Sequence, residues 1–564
     1  MRHDVETMTR IACVQLSLVA DEASNLKKCL GLIDRAAAEK PELIVLPEMS
    51  NWSGGLVRTR AEALEHGTPV PGRFLDALAE RAERHRCFVA AGVIERLGDE
   101  SFITSVILAP DRRIVLKYQK QIPFAGQRIW ASPGRAGNPV AQLPFGRVGI
   151  YICADGLVPE TARALALQGA HLLLNTLHSG GSDETNLHVP ARAVENRVWV
   201  ASANKVGPRE LGAVGSYCGG SQIVSPTGEI AARADDHSDA VVWADVDLAM
   251  AEDKMLGGDD IFRMRRPECY QSLVAPPERP SPTRGPASLG VAALQPTGYG
   301  DFAVDEAAQA WREAAAAGAK LMVLPGLFPY EPAAVAGDPA GAAADGERFL
   351  ARLSEIARQT ATWGVTSVVE REVDRYYHTA FLVDHRGAIA GRYRQVHVPA
   401  ALTGWATAGN RFEVFDTAIG RIGILCGADA LVPEAFRVLA YLGAEVIAVP
   451  AQWRAEYEID LVMPERVAEN RVNIVLARRF DSPVSRGSAI IGVVPYPSEP
   501  HWKVRSPDVI EARSQARFVA LGVNLAATRD KTIGAQGCDL MASAVPAEYG
   551  ILADISPREY RSRG

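Results

Sequence analysis

Short apolar runs and longer stretches of helical spacing alternate along the whole chain. Leu43-Ile44-Val45-Leu46, Val148-Gly149-Ile150-Tyr151-Ile152 and residues 171–176 have the near-continuous hydrophobicity of strands buried on both faces. Between them, residues 25–38, 73–85 and 159–168 carry apolar side chains at helical spacing, and Pro159 sits where a first-turn proline is tolerated. Val224-Ser225-Pro226-Thr227-Gly228-Glu229 reads as a turn between strands. The pattern predicts α/β layers around a largely buried sheet.

The pattern then repeats. Leu43-Ile44-Val45-Leu46-Pro47 returns as Leu321-Met322-Val323-Leu324-Pro325, and Gly146-Arg147-Val148-Gly149-Ile150 returns as Gly420-Arg421-Ile422-Gly423-Ile424. Ala193-Val194-Glu195-Asn196-Arg197 matches Ala468-Glu469-Asn470-Arg471 and its preceding Val467. Gly149 and Gly423 lie 274 positions apart, as do Glu195 and Glu469, so few insertions separate these landmarks. So long a period means duplicated domains rather than a solenoid. A proline-dense segment, Ala275-Pro276-Pro277-Glu278-Arg279-Pro280-Ser281-Pro282, marks the join. We draw a first domain over 8–275, a linker over 276–287 and a second domain over 288–564.

Composition excludes several classes of function. A net charge of −7 over 564 residues, without basic runs, gives no footprint for nucleic acid or an anionic membrane. No apolar run reaches bilayer length and the first ten residues do not resemble a secretory signal, which predicts a cytoplasmic protein. Eight cysteines without CxxC pairs argue against a disulfide framework, and the histidines lack metal-ligand spacing, so neither metal nor cofactor is expected.

Three residues carry candidate chemistry. Alone, Glu48 after Pro47 is an ordinary turn carboxylate, Lys120 at the end of an alternating run is an ordinary solvated lysine, and Cys153 is an ordinary small buried hydrophobe. Together, Leu46-Pro47-Glu48, Tyr118-Gln119-Lys120 and Cys153-Ala154-Asp155-Gly156-Leu157-Val158-Pro159-Glu160, followed by Ala193 to Arg197 and Arg265-Arg266-Pro267-Glu268, resemble the nitrilase, or carbon–nitrogen hydrolase, superfamily across nearly the whole of each half.

That resemblance implies two tandem αββα sandwich domains packed as an intramolecular pseudo-dimer, with further homo-oligomerisation left open. It also implies a small-molecule amide substrate, Cys153 as nucleophile, Glu48 as proton acceptor and later donor, and Lys120 as oxyanion holder, shared with the Ala154 N–H. A helix beginning near Pro159 should favour the thiolate through its dipole. Many relatives carry a second glutamate where Gln127 aligns, and glutamine cannot take a proton as a carboxylate does. Asn51, Trp52, Gln127, Trp130 and His178 are candidates for substrate binding.

The second half lacks the set. Gly326 stands at the glutamate position, Tyr393-Arg394-Gln395 has no lysine, and Gly427 falls opposite Cys153, with Cys426 one residue early. It should be catalytically silent, either replacing a partner copy or binding a ligand with residues such as Trp405 and Trp453. Cys153-Ala154-Asp155 differs from the Cys-Trp-Glu usual in nitrile-cleaving relatives, and no arginine follows to clamp a carbamoyl amino acid. The reading is a carboxamide hydrolase acting through a thioester. The alternatives are an N-carbamoyl amide hydrolase or nitrilase, acyl transfer, and a non-catalytic binding or scaffolding protein.

Overall fold

The computed structural model describes residues 8–208, 216–276, 285–451, 458–479, 486–494, 508–511, 516–533 and 538–556. Most of the expected linker (277–284) and Trp453 lie outside the described residues.

The first half holds two six-stranded sheets. One runs in the order Ala240–Val246, Thr9–Gln15, Leu43–Val45, Phe88–Leu97, Glu100–Leu108, Ile114–Gln119. The other runs Ile230–Arg233, Gln222–Val224, Trp199–Ala203, Leu172–Thr176, Gly146–Ile152, Val140–Leu143. The three central strands of each pair in parallel and the flanks are antiparallel. The period of two along Thr9–Gln15 explains the layering. Ile11 and Cys13 enter the core that includes Ile150 and Leu174, whereas Ala12 and Val14 face Cys29, Ile33, Phe74 and Leu78 from helices Glu22–Ala37 and Arg73–His85. The second sheet's far face carries Pro159–Leu167 and Val189–Asn196, and a Cβ on Gly149 would meet Leu165 at 2.8 Å. The result is helix, sheet, sheet, helix.

The second half repeats these layers with two more six-stranded sheets, centred on Ser288–Leu294 and Leu321–Val323 in one and Gly420–Ile424, Val446–Pro450 and Asn473–Ala477 in the other. Alternation again sorts Val291 and Ala293 from Ala292 and Leu294 into separate clusters.

Element ends differ from the sequence reading by a few residues, for local reasons. The first helix starts at Glu22 rather than 25 because the Asp21 carboxylate accepts the Ser24 N–H at 2.8 Å, a side-chain cap outside the apolar stripe.

Every residue of Pro159–Leu167 and Val189–Asn196 is buried, charged ones included, because the matching helices of the second half cover them. Arg192 Nη2 reaches Glu465 Oε1 at 2.5 Å and Glu469 Oε2 at 2.6 Å, while Arg466 pairs with Glu195 and, at 2.9 Å, with Glu469. Arg437 holds Glu160 at 2.6 Å, and Glu434 receives Arg265 at 2.8 Å. Ions this deep persist only when paired, and removing one partner typically costs about 3–5 kcal/mol. His188 adds an unduplicated contact, its Nδ1 lying 2.9 Å from Glu465, since Val462 occupies the matching place. Burial alone would lower the His188 pKa, but the Glu465 carboxylate outweighs it and lifts the value to about 9.

A folded-state pKa above the unfolded one stabilises the fold fully below about 6.5 and loses that contribution as pH rises through about 9. Thermal midpoints measured from pH 6 to pH 10 should therefore fall across this window, and His188→Gln should flatten that fall. An unchanged pH slope in the variant would show that His188 carries no such linkage.

Candidate functional site

The ends of three strands converge on one point. Glu48 follows Leu43–Val45, pressed against the neighbouring strand where a Cβ on Gly92 would lie 2.6 Å from the Glu48 Cα. Only glycine fits so close an approach. Lys120 follows Ile114–Gln119, with its N–H bonded to Ile103 O at 2.8 Å, and turns inward instead of continuing the alternation into solvent. Cys153 follows Gly146–Ile152 at φ +49°, a left-handed conformation that costs a non-glycine residue about 1–3 kcal/mol. Its N–H donates to Asn175 Oδ1 at 3.1 Å, which holds the turn.

Lys120 and Glu48 are fully buried, and the Lys120 Nζ donates to Glu48 Oε1 at 2.9 Å. It donates also to Gln127 Oε1 at 2.9 Å, while Gln127 Nε2 donates to Glu48 at 3.4 Å and the Phe124 N–H fixes the Gln127 oxygen at 2.8 Å. Gln127 is thus a neutral bridge between base and ammonium. Burial works against the Lys120 charge, but the Cys153 sulfur and the Glu48 carboxylate overcome it and hold its pKa above the ordinary lysine value. Glu48 Oε2 is buried with no protein partner among the described residues.

Burial pushes the Cys153 thiol pKa well up, Lys120 opposes the rise, and Glu48 adds to it. This corrects the expectation of a thiolate favoured by the helix dipole. A five-residue 3-10 turn, Cys153–Leu157, separates the thiol from the helix at Pro159, and desolvation of a side chain only 8% exposed dominates. Burial thus favours the neutral thiol.

The other candidates fall into different places. Asn51 is buried, its Nδ2 bonded to His66 O at 3.2 Å and its Oδ1 to the Ile94 N–H at 2.8 Å, so its amide holds the scaffold and is corrected from a substrate contact to a structural one. Trp52 stacks on His66 with centroids 3.9 Å apart, and its buried indole N–H has no protein acceptor among the described residues. Trp130 is buried in the core, and its carbonyl accepts the Ser101 hydroxyl at 2.5 Å. Ala154 lies in the turn after the thiol. The His178 imidazole contacts Tyr217 Oη at 3.0 Å, whereas its backbone N–H reaches the Cys153 sulfur, the opposite of a side-chain role.

Two groups escaped the sequence reading. Asp155 accepts Tyr118 Oη–H at 2.8 Å and the Ile122 and Ile152 N–H groups at 2.8 and 3.1 Å, clamping the lysine strand to the cysteine turn, and burial lifts its pKa to about 6. Its signal was present, since Asp429 does the same with Tyr393 at 2.8 Å. Glu184, whose pKa burial raises to about 7, acts on the thiol from the π-helical turn Glu184–His188, and no motif marked it.

The carbon-nitrogen hydrolase model matches residues 10–254 and again 290–521. The chain belongs to the carbon-nitrogen hydrolase family. Among its relatives, a nitrilase of Pyrococcus abyssi is 32% identical over 266 residues, covering 47% of this chain and 99% of that protein. A citrullinase of Francisella tularensis is 27% identical, covering 47% and 98%, and an omega-amidase of Homo sapiens is 28% identical, covering 47% and 97%. A cysteine variant of the Nesterenkonia sp. AN1 amidase, a nitrilase-superfamily structure, aligns at 23% identity over 47% of this chain and 97% of its own, with a TM-score of 0.40. Among the described residues no cluster suits a metal ion, and no helix is long and apolar enough to cross a membrane.

In the second half of this carbon-nitrogen hydrolase, Gly427 takes the left-handed position at φ +45°, while Cys426 keeps an extended φ of −112° and is fully buried. Tyr393 pairs with Asp429 as Tyr118 does with Asp155, which puts Gln395 where Lys120 stands. Because Lys120 lowers the Cys153 pKa and burial raises it, iodoacetamide should modify Cys153 more slowly at pH 7 than a free thiol. Lys120→Met should move the alkylation profile to higher pH, and a profile unmoved by that change would separate the two groups.

Proposed function

We propose that the first half hydrolyses a small carboxamide through a thioester on Cys153. The observation that carries this reading is the buried Lys120 ammonium 2.9 Å from Glu48, both charges acting on the thiol at the left-handed turn. Amides resist water, and a sulfur nucleophile divides the reaction into two easier steps. Glu48 takes the thiol proton as sulfur attacks the carbonyl carbon, Lys120 stabilises the oxyanion with help from the Ala154 N–H, and the proton passes from Glu48 to the departing ammonia or amine. Glu48 then deprotonates the water that releases the acid. A neutral resting thiol suits this sequence, because proton transfer to Glu48 accompanies attack instead of preceding it.

Gln127 in place of a second carboxylate keeps the ammonium less neutralised, which supports oxyanion stabilisation and places the proton traffic on Glu48 alone. An uncharged substrate fits Cys153-Ala154-Asp155 and the absence of an arginine after it. N-carbamoyl amide or nitrile cleavage is the second reading, favoured by relatives named citrullinase and nitrilase. The second half is catalytically silent and takes the place of a partner subunit, the buried Arg192, Glu465, Arg466 and Glu195 contacts forming the seam of an intramolecular pseudo-dimer.

Ammonia release from a panel of carboxamides, N-carbamoyl compounds and nitriles should be greatest with a carboxamide. Cys153→Ala should reduce turnover by at least about 1000-fold and Cys426→Ala should leave it within about twofold. Intact mass spectrometry of the quenched reaction should show an acyl adduct on Cys153. Full activity in Cys153→Ala would overturn the assignment, and a larger release from a carbamoyl compound or nitrile would replace the carboxamide.

A further inference from the structure

The second half keeps a cavity where the first half keeps its charged set. It is an open pocket of about 740 Å³, mouth included, walled by Leu327, Tyr330, Leu402 and Trp405 and floored by Gly427 and Gln395. Small-molecule sites are mostly apolar with a few placed polar groups. Tyr330 and Trp405 stand at the positions of Trp52 and Trp130, so both copies keep an aromatic ring at each place.

Substitution has emptied the floor of charge. Gly326, Gln395 and Gly427 occupy the places of Glu48, Lys120 and Cys153, and among the described residues no Asp, Glu, Lys or Arg lines the cavity. A Cβ on Gly427 would meet only Gln395 Nε2, at 3.5 Å, so the space once filled by the sulfur is open. The remaining polar groups form one neutral, directed chain. The Leu327 N–H donates to Ser367 Oγ at 2.9 Å, Ser367 donates to His378 Nε2 at 2.9 Å, His378 Nδ1–H donates to Gln395 Oε1 at 2.8 Å, and Gln395 Nε2 donates to Cys426 O at 2.9 Å. Burial lowers the His378 pKa to about 4, so the chain stays uncharged near neutral pH. Ser367 and His378 replace Gly92 and Ile103, two positions with no polar side chain in the first half.

Two donors remain. Gln395 Nε2 has a second hydrogen, and this nitrogen lies 3.5 Å from where a Cβ on Gly427 would stand. Val449 stands where Asn175 accepts the Cys153 N–H, leaving the Gly427 N–H without a protein acceptor among the described residues. An anion would meet these donors but also the Asp429 carboxylate, beside which Gln395 replaces an ammonium and His397 Nδ1 lies at 2.8 Å. A cation would find no carboxylate among the described residues of the lining. We propose that the second-half cavity is a binding site for an uncharged, flat apolar molecule carrying one carbonyl, whose oxygen accepts from Gln395 and Gly427 between the Tyr330 and Trp405 walls.

The test uses the full chain with Cys153→Ala, which silences turnover at the first site, and benzamide, benzoate and benzylamine as probes. Ala401 is exposed at the cavity rim, and the ¹⁹F signal that Ala401→Cys with a small trifluoromethyl label adds to that of the identically labelled parent, whose Cys218 and Cys269 are partly exposed, reports on this cavity. The expected result is a saturable shift with benzamide, at least tenfold weaker apparent affinity for benzoate and for benzylamine, and at least tenfold weakening of benzamide by Gln395→Leu. No saturable shift with benzamide up to its solubility limit would overturn the proposal, as would equal affinity for a charged probe. The comparison of charged and neutral probes needs no second variant, so it stands even where Gln395→Leu does not fold.

Discussion

An ammonium and a carboxylate with no solvent exposure, 2.9 Å apart, set the terms for everything else in this protein. Moving both ions out of water costs several kcal/mol each, and apolar residues of the same volume would often give an equally stable core. Such a pair persists where its charges do something that a hydrophobic contact cannot. Here both fields fall on one sulfur, and burial makes them stronger than they would be in water.

The scaffold exists to hold that arrangement without water. The glutamate, lysine and cysteine come from strand ends in two different sheets, so their convergence depends on how the sheets stack. Asp155 fixes the join by accepting the Tyr118 hydroxyl and two backbone N–H groups at once, and Gly92 lets the glutamate strand press in. The helices outside the cysteine-bearing sheet are polar enough to need partners, and the second half supplies them through Glu465, Glu469 and Arg466. The second half thus presents the surface that buries those helices, while Gly326, Gln395 and Gly427 stand in it where Glu48, Lys120 and Cys153 stand in the first.

Features with a local signature were legible in the sequence. The alternation of strands and helices, the repeat 274 positions apart and the landmarks Pro47-Glu48, Tyr118-x-Lys120 and Cys153 followed by Pro159-Glu160 are all contiguous patterns, and the helix over Arg73–His85 has the ends that its apolar stripe predicts. What escaped depends on three-dimensional surroundings. The raised pKa of Cys153 follows from desolvation outweighing a nearby cation and a helix separated by a full turn, which no motif encodes. Asn51 looked like a binding residue because it follows Glu48, but its amide is taken by backbone groups distant in sequence. Glu184, although Glu458 repeats it 274 positions later, lies outside the motifs that marked the site, and the His188 contact with Glu465 belongs to an interface where Val462 takes the matching place.

Whether carboxylate and ammonium act on the sulfur as one unit is the central claim, and a double-mutant cycle on kcat/KM tests it most directly. With Glu48→Gln, Lys120→Met and the two combined, the double variant should be little worse than either single one, since each change alone already disables the set. Losses that multiply, the double variant falling by the product of the two single factors, would mean that the groups contribute independently and would contradict the account.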